Sequence, residues 1–312
     1  MTETNVIDAK NLVREFNGKR VINRVSFGIK EGEIFGFLGP NGAGKTTTVR
    51  LLSGVLAPTE GSAWVMGYDV RSEPLEVRKV IGVLTETSSL YERLSAKENL
   101  AFFGHLYGLD GEMLNNRINE LLQFFGLQEK SMDKVGTFST GMKKRLSLAR
   151  ALFHDPPVLF LDEPTSGLDP EGARLIRNHI NELSKEEKRT IFLCTHNLEE
   201  AKELCSRVAI IDNGKIIAIG SPEDLERDLW QKTEVEVNLD EANNEMLKFI
   251  RELEIVMNMR IDKEKIFIEL GSQNDIPVLV EEIVHKGGRI FSVNQVSHSL
   301  EEIYFRIREE KK

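Results

Sequence analysis

Short apolar runs alternate with longer amphipathic segments through the first two thirds of the chain. The runs EIFGFLG, VLFLDEP, TIFLCTH and VAIID have the length of buried strands, whereas KTTTVRLL, GARLIRNHINELS and NLEEAKELCSRV have helical spacing. Buried strands that alternate with helices are typical of a layered fold with a largely parallel sheet. The pattern therefore predicts an α/β domain.

Two segments depart from this alternation. The opening, VIDAKNLVREFNGKRVINRVSFGIKEGE, contains short strand-like runs joined by an Asn-Gly turn, which predicts a small antiparallel β layer beside the main sheet. From Ser95 to about Asp133, apolar residues such as Leu100, Phe103 and Leu106 recur at helical spacing. This second segment is predicted to be a helical insertion between two motif-bearing halves.

The pattern changes again after about Arg227. Residues 233–312 have a βαββαβ order and a closing helical segment, SLEEIYFRIREEKK. This order predicts a small α+β, ferredoxin-like domain. We expect a main domain at residues 1–226 and an accessory or dimerisation domain at residues 233–312.

Composition narrows the class of protein. The chain has 312 residues, enough for two cores, and a formal net charge of -9, which gives no general attraction to nucleic acid. No apolar run approaches the roughly 18 residues that cross a bilayer, and no secretory signal is visible at the start. We therefore expect a cytoplasmic protein that does not bind nucleic acid.

Residue types that often carry chemistry are interpreted here as structural. Cys194 and Cys205 are too few for a disulfide framework and are predicted to be reduced packing residues. The six histidines lack the spacing of zinc ligands. The run Lys143, Lys144, Arg145 is interpreted as a solvated helix face rather than a nucleic-acid patch.

The segment GPNGAGKTT is the strongest local motif. Gly39, Gly44, Lys45 and Thr46 fit the pattern GxxxxGK[ST], with a strand-like run before it and a helical run after it. Such a loop surrounds phosphates with backbone N–H groups, while its lysine reaches the β- and γ-phosphates and its threonine is a Mg²⁺ ligand. The alternative is a glycine-rich turn that binds nothing.

A second motif, PVLFLDEPTSGLD, ends an apolar strand with Asp162 and Glu163. Because successive strand residues point to opposite sides, the two carboxylates can have different roles. Asp162 suits the Mg²⁺ shell, and Glu163 suits a general base for the attacking water. Without the phosphate loop, a turn that ends the strand would be the better interpretation.

Two further segments are ambiguous when taken alone. Ser139 and Gly141 open a helix whose N–H groups would suit an anion, but when the segment is taken alone an ordinary serine-capped helix start is the better interpretation. His196 ends an apolar strand, from which its imidazole could reach a γ-phosphate. A lone histidine at such a position is more often structural.

In the order GPNGAGKTT, FSTGMKKR, LFLDEP, SGLD and TH, these motifs resemble those of the nucleotide-binding subunit of ABC transporters, from about Val6 to Glu226. The resemblance implies a RecA-like P-loop NTPase core, an antiparallel β subdomain and a helical subdomain with the signature motif. It also implies hydrolysis of MgATP in a head-to-tail dimer that holds two nucleotides between its subunits.

The resemblance assigns roles to individual residues. It implies that Glu163, His196 and Lys45 are catalytic and that Thr46, Asp162 and Glu86 are close to Mg²⁺. Phe16 is implied to stack on adenine, although a phenylalanine in the β-layer core is an equal alternative. The other implied nucleotide contacts are Gly39, Asn41, Gly42, Gly44, Thr47, Ser139, Gly141 and Asp169.

The chain departs from the family pattern at three positions. Glu86 stands where glutamine is usual, so that another carboxylate would lie near Asp162 and Glu163 and repel them. Thr140 and Met142 replace the usual glycine and glutamine of the signature. We expect activity to survive the change at Glu86, and the signature changes to affect the rate of hydrolysis more than its mechanism.

The C-terminal segment resembles the small domain that follows the ATPase in ABC-2 type exporters of drugs, polysaccharides or sodium. A generic dimerisation or regulatory module is the alternative. The implied partners are a transmembrane permease on another chain and a second ATP-binding subunit, in a complex on the inner face of the membrane. An ATPase acting on nucleic acid or ribosomes, a nucleotide-sensing subunit and an importer motor are the competing functions.

Overall fold

The structure, a computed structural model, describes residues 5–87, 89–230, 232–240, 242–262, 265–296 and 298–310. The outer ends of the two expected domains, residues 1–4 and 311–312, lie outside this range. By its internal contacts the chain divides into two compact units, Met1–Pro222 and Glu223–Lys312.

The larger unit contains ten described strands and seven described α-helices. Its strands are β1 (Ile7–Phe16), β2 (Lys19–Ile29), β3 (Ile34–Leu38), β4 (Glu60–Val65), β5 (Tyr68–Asp69), β6 (Ile81–Leu84), β7 (Val158–Asp162), β8 (Thr190–Thr195), β9 (Arg207–Asp212) and β10 (Lys215–Gly220). Its helices are α1 (Lys45–Leu52), α2 (Pro74–Lys79), α3 (Ala96–Leu106), α4 (Gly111–Phe124), α5 (Thr140–Ala151), α6 (Pro170–Lys185) and α7 (Leu198–Leu204).

A six-stranded sheet in the order β10-β9-β3-β8-β7-β6 forms the centre of this unit. All neighbouring strands are parallel except the edge strand β10, which is antiparallel to β9. Every residue of β3, β7 and β8 is buried, as expected for strands that are covered on both faces. The predicted α/β class with a parallel sheet is confirmed.

The predicted antiparallel layer is also present, as a four-stranded sheet in the order β2-β1-β4-β5. The turn between β1 and β2 is Asn17-Gly18, and both residues have positive φ, as a tight hairpin turn requires. Phe27 of this layer stacks on Phe35 and Phe192 of the main sheet, with ring centroids 5.5 and 5.8 Å apart. The two sheets therefore share one core.

Helices α3 and α4 confirm the predicted helical insertion. Helix α3 begins with a capping box, in which the Ser95 hydroxyl accepts from the Glu98 N–H and the Glu98 carboxylate accepts from the Ser95 N–H.

Helix α5 contains the run Lys143, Lys144, Arg145, which was expected to be a solvated helix face. This expectation is wrong, because Lys144 is only 4% exposed.

The smaller unit has a βαββαβ order that begins after α8 (Pro222–Leu229). Its elements are β11 (Thr233–Leu239), α9 (Asn244–Glu252), β12 (Val256–Asp262), β13 (Lys265–Leu270), α10 (Asp275–His285), β14 (Ile290–Gln295) and the closing helix α11 (Leu300–Glu310). The strands form an antiparallel sheet in the order β12-β13-β11-β14. The predicted ferredoxin-like α+β architecture is confirmed.

Two other expectations concern the whole chain. In the part of the chain that the structure describes, no helix is both long enough and apolar enough to cross a membrane.

Cys194 and Cys205 are buried and free, which confirms that they are reduced packing residues. Burial raises the pKa of both thiols, so neither is activated as a nucleophile.

Candidate nucleotide-binding and hydrolysis site

The phosphate loop joins the end of β3 to the start of α1. Gly44 has a φ of 115°, and a Cβ there would lie 2.6 Å from Ile22 Cδ1. A Cβ on Gly39 would lie 2.3 Å from the carbonyl oxygen of Ile211. Only glycine fits these two positions without displacing neighbours, so the loop can pass close to the sheet and open its N–H groups to an anion.

Lys45 is folded back onto its own loop. Its ammonium donates to the carbonyl oxygen of Gly39 at 2.7 Å and is 3.6 Å from the Glu163 carboxylate. Lys45 is 6% exposed, and a charge buried to this extent requires such partners. The lysine is therefore held at the mouth of the loop, where a phosphate would replace part of its hydrogen bonding.

Asp162 is the last residue of β7. Its Oδ2 accepts a hydrogen bond of 2.8 Å from the Thr46 hydroxyl, which connects β7 to the first turn of α1. Burial raises the pKa of Asp162, the hydrogen bond from Thr46 opposes this rise, and the negative charges of Glu163 and Glu86 add to it. The negative charge of Glu86 therefore contributes to the raised pKa of Asp162, as the sequence predicted.

Glu163 faces a different set of partners. Its Oε1 lies 2.9 Å from His196 Nδ1, and its Oε2 lies 3.5 Å from the Thr195 hydroxyl. Its φ is 52°, in the left-handed region that few non-glycine residues adopt. The two adjacent carboxylates therefore have separate partners, in agreement with the alternation predicted for the end of a strand.

One cavity of about 420 Å³ brings most of the predicted residues together. Gly39 is not among its lining residues but contributes the carbonyl that Lys45 contacts. The lining also includes Ser166, which lies in the SGLD motif but was given no role of its own from the sequence. The predicted residues that line the cavity are Asn41, Gly42, Gly44, Lys45, Thr46, Thr47, Glu86, Asp162, Glu163 and His196.

The oxygen donors in this cavity suit a magnesium ion that is shared with phosphate. The Thr46 hydroxyl and the Asp162 carboxylate are already adjacent, and Glu86 lines the same cavity. Among the described residues, no group of three or more histidine, cysteine or acidic side chains has the arrangement of a metal cage. Mg²⁺ normally takes one or two carboxylates and completes its shell with water and phosphate, so this donor set fits.

Ser139, Gly141 and Asp169 lie in a separate cavity of about 380 Å³. This cavity shares no lining residue with the one at the phosphate loop. The Ser139 hydroxyl accepts from the Met142 N–H at 3.2 Å, and Asp169 Oδ1 accepts from the Gly172 N–H at 2.8 Å. Both side chains therefore cap helices, and within one chain these three residues do not complete the phosphate-loop site.

Phe16 also lies outside both cavities. It ends β1, with its ring 39% exposed and the Arg14 guanidinium 4.5 Å from the ring centroid. The alternative of a buried phenylalanine in the β-layer core is wrong at this degree of exposure. A planar adenine could compete for the exposed ring face.

Lys144 contacts the backbone of two residues of the site, although the sequence analysis interpreted it as part of a solvated helix face. Its ammonium donates to the carbonyl oxygens of Glu163 and Glu86, at 2.9 and 3.2 Å. A usable signal was present in the helix spacing. Lys144, Ser147 and Leu148 stand at positions i, i+3 and i+4 and share the buried face of α5.

Comparison with known proteins identifies the family. The ABC transporter profile matches residues 22–166, and an AAA domain profile matches residues 134–201. The chain is 37% identical over 270 residues to the linearmycin resistance ATP-binding protein LnrL of Bacillus subtilis, with 86% of each chain covered. The chain belongs to the ABC transporter ATP-binding family. Members of this family hydrolyse ATP to power transport.

Other ABC proteins are similar over comparable lengths. The chain is 36% identical over 313 residues to the uncharacterized ABC transporter ATP-binding protein YhcH of Bacillus subtilis, covering 98% of this chain and 97% of that one. Over 220 residues it is 42% identical to the probable multidrug ABC transporter ATP-binding protein YbhF of Escherichia coli, covering 70% of this chain and 38% of that one.

Solved structures of ABC cassettes agree with the fold. An ATP-binding subunit of an ABC transporter superposes with a TM-score of 0.65 at 31% identity, covering 72% of this chain and 92% of that one. The dimeric bacterial ABC cassette MJ0796 superposes with a TM-score of 0.63 at 25% identity, covering 69% of this chain and 98% of that one. The RecA-like P-loop fold is confirmed. The relatives offer no support for a nucleic-acid function.

Proposed function

We propose that this ABC subunit uses MgATP to drive an ABC-2 type exporter from the inner face of the membrane. The observation that carries the proposal is the convergence of a phosphate loop, a Thr46–Asp162 pair and a Glu163–His196 pair at the carboxyl ends of β3, β7 and β8. Ligands bind at this edge in open α/β sheets. The names of multidrug and antibiotic-resistance relatives support export rather than import.

In the proposed mechanism, the loop N–H groups bind the phosphates of ATP and Lys45 exchanges its bond to Gly39 for phosphate oxygens. Thr46 and Asp162 would hold Mg²⁺, which would neutralise charge on the phosphates. Glu163 accepts a proton from the attacking water. His196 is hydrogen-bonded to Glu163 through Nδ1 and is 58% exposed, so its other ring nitrogen is available to contact the γ-phosphate.

The proposal requires a second copy of the cassette, because Ser139 and Gly141 open onto a different cavity from the phosphate loop. In a head-to-tail pair, the N-terminus of α5 in one chain would face the γ-phosphate held by the other. The free N–H groups and positive end of that helix suit an anion. A homodimer is the simplest assembly of this kind.

A groove of about 600 Å³ is proposed to receive a cytoplasmic helix of the transmembrane partner. Its lining includes apolar residues such as Val55 and Phe103 and the basic side chains of Arg50, Arg78 and Arg150. Glu86 lines both this groove and the phosphate-loop cavity. The loop at Glu86, in the segment from Glu86 to Phe103, would therefore contact both the membrane partner and the hydrolysis site.

We further propose that the ferredoxin-like unit is an accessory domain that supports pairing of two chains. Its edge strand β14 exposes Phe291, at 66% of the side-chain maximum. Exposed edge strands readily pair with another chain. Light scattering of full-length Phe291→Asp should show a smaller fraction of dimer than the wild type, and an unchanged fraction would contradict this role.

The hydrolytic role is tested with Glu163→Gln, which keeps the size of the side chain and removes the base. Hydrolysis should fall by about 10² to 10⁴-fold, and an ATP-stabilised dimer should accumulate in light scattering. Glu199→Gln is the matched control, because Glu199 is exposed on α7. A Glu163→Gln chain that hydrolyses ATP at the wild-type rate, or stays monomeric with ATP, would refute the sandwich mechanism.

The exporter assignment is tested by purifying the tagged full chain from detergent-solubilised native membranes. A polytopic membrane protein should co-purify at a one-to-one ratio, and Val55→Asp should abolish its recovery. Leu75→Asp is the matched control, since Leu75 is exposed on α2 and does not line the groove. Co-purification of ribosomes or nucleic acid in place of a membrane protein would replace the proposal.

A further inference from the structure

A buried ammonium contacts the backbone of Glu163, the residue proposed as the general base. Lys144, on the inner face of α5, is 4% exposed. Removing an ammonium from water costs several kcal/mol unless it is well paired. Burial lowers the pKa of Lys144, while the charges of Asp162, Glu86, Glu163 and Glu200 act in the opposite direction. The charged form of Lys144 is therefore stabilised by its acidic and carbonyl neighbours, and its hydrogen bonds in turn fix the positions of those carbonyl groups.

The first of these neighbours is the backbone of Glu163. Its carbonyl oxygen accepts from the Lys144 ammonium at 2.9 Å and from the Ser166 N–H at 3.3 Å. Its N–H donates to the carbonyl oxygen of Cys194 at 2.9 Å. Left-handed backbone at a non-glycine residue costs of order 1–3 kcal/mol and persists only where the surroundings hold it. Of these three contacts, only the one from Lys144 is charged.

The second neighbour is the loop that follows β6. The carbonyl oxygen of Glu86 accepts from the same ammonium at 3.2 Å, 58 positions away in the sequence. The Glu86 side chain is exposed and lines both the phosphate-loop cavity and the groove proposed for the membrane partner. One side chain from the signature helix therefore connects the end of β7 to the loop that faces the partner.

We propose that Lys144 is a positioning residue that holds the backbone of Glu163 in its left-handed conformation and ties it to the Glu86 loop. Movement of that loop by a partner, or of α5 by a second cassette, is passed to the catalytic carboxylate through this ammonium. The inference rests on the proposed role of Glu163 as the general base. Lys144 itself touches neither the nucleotide nor the attacking water.

The test begins with Lys144→Met in the full-length chain, which removes the charge and keeps the length of the side chain. The kcat for ATP hydrolysis should fall about 10- to 100-fold, the size expected when a catalytic group is displaced by about 1 Å. KM and the affinity for a fluorescent ATP analogue should stay close to wild type. The variant should also accumulate as an ATP-bound dimer, because association precedes the impaired step.

Two variants separate positioning from a general loss of structure. Lys144→Arg keeps a cation and its donors and should recover part of kcat. Lys143→Met is the matched control on the same helix, where the lysine pairs with Glu92 at the surface, and it should behave as wild type. If Lys144→Met does not fold, Lys144→Gln, which keeps a neutral donor, takes its place in every measurement.

A double-variant cycle with Glu163→Gln decides the result in single-turnover hydrolysis. Once the base is absent, Lys144→Met should cause no further decrease. A full additional decrease, or a Lys144→Met chain with wild-type kcat while Glu163→Gln is slow, would overturn the role of Lys144 alone. A Glu163→Gln chain that is itself as fast as wild type would instead overturn the proposed function on which the inference rests.

Discussion

The phosphate-loop cavity and the signature cavity differ in how completely one chain assembles them. The first combines residues from several elements through direct contacts, such as Lys45 to Gly39 and Thr46 to Asp162. In the second, Ser139 caps its own helix and Gly141 offers only backbone. The difference indicates that one chain assembles the groups that bind phosphate and Mg²⁺, whereas the signature residues act only on a nucleotide bound by a second chain.

The largest effect is expected from Lys45→Ala on the phosphate-loop side. Hydrogen bonds to a charged group contribute about 1.5–3 kcal/mol each, so losing the contacts to phosphate should weaken ATP binding by about 10²-fold or more. Titration with a fluorescent ATP analogue measures this affinity. Lys130→Ala, at an exposed surface lysine, is the control. An ATP affinity close to wild type would remove Lys45 from the site.

The signature side should respond in the opposite way to Gly141→Glu. A Cβ at this position has only ordinary contacts, the nearest being Leu168 Cδ2 at 3.9 Å, and an acidic residue in the first turn of α5 favours the helix. The chain should therefore fold and bind ATP as a monomer with unchanged affinity. Its carboxylate should repel the phosphate held by a second copy, so that the ATP-dependent dimer is lost and hydrolysis falls by about tenfold or more.

Light scattering with ATP and a parallel binding titration measure both properties of Gly141→Glu. Gly141→Ala is the control for the loss of glycine, because it adds a methyl group without charge. A Gly141→Glu chain that still dimerises with ATP would show that this cavity does not face a phosphate, and the contrast between the two cavities would then have no functional meaning.

A smaller effect is expected from Phe16→Ala, which tests how far the nucleotide site extends beyond the phosphate loop. An aromatic contact with adenine contributes about 1 kcal/mol, so ATP should bind roughly fivefold more weakly. Phe16→Tyr keeps the ring and should bind as wild type does. Equal affinities for all three chains would show that Phe16, with Arg14 over its ring, is only a surface residue of the β layer.

Features formed by residues close together in the sequence could be predicted, whereas contacts between distant residues could not. Strands, helices and the phosphate loop were predictable because Gly39, Gly44 and Lys45 act within one strand-loop-helix segment. The parallel order of the sheet also followed from local alternation. The hydrogen bond from Lys144 to Glu86 joins residues 58 positions apart, and its donor resembled a surface lysine beside Lys143. Such a contact depends on the packing of α5 against the sheet, which charge patterns alone do not describe.

The smallest effect is expected on stability, from Glu200, a buried acidic residue whose pKa is affected by the charge of Glu163. Glu200, on α7, is 2% exposed, and burial raises the pKa of its carboxyl above the ordinary value of 4.5. The folded chain therefore binds this proton more tightly than the unfolded chain. The resulting stability is fully present below pH 4.5 and is lost as the pH rises through the raised pKa. Burial of this carboxyl therefore makes the free energy of unfolding lower at neutral pH than below pH 4.5.

Glu200→Gln removes this ionisation and should raise the thermal midpoint of the nucleotide-free chain at pH 7 by about 2 °C. Differential scanning calorimetry across pH should show the gain shrinking as the pH falls and vanishing well below 4.5, where the wild-type carboxyl is protonated in both states. Glu199→Gln, at the exposed neighbouring position, should change the midpoint little at any pH. A lower midpoint for Glu200→Gln at pH 7 would mean that the ionised Glu200 is a net stabiliser, and that the acidic surroundings of the phosphate-loop side carry no cost in stability.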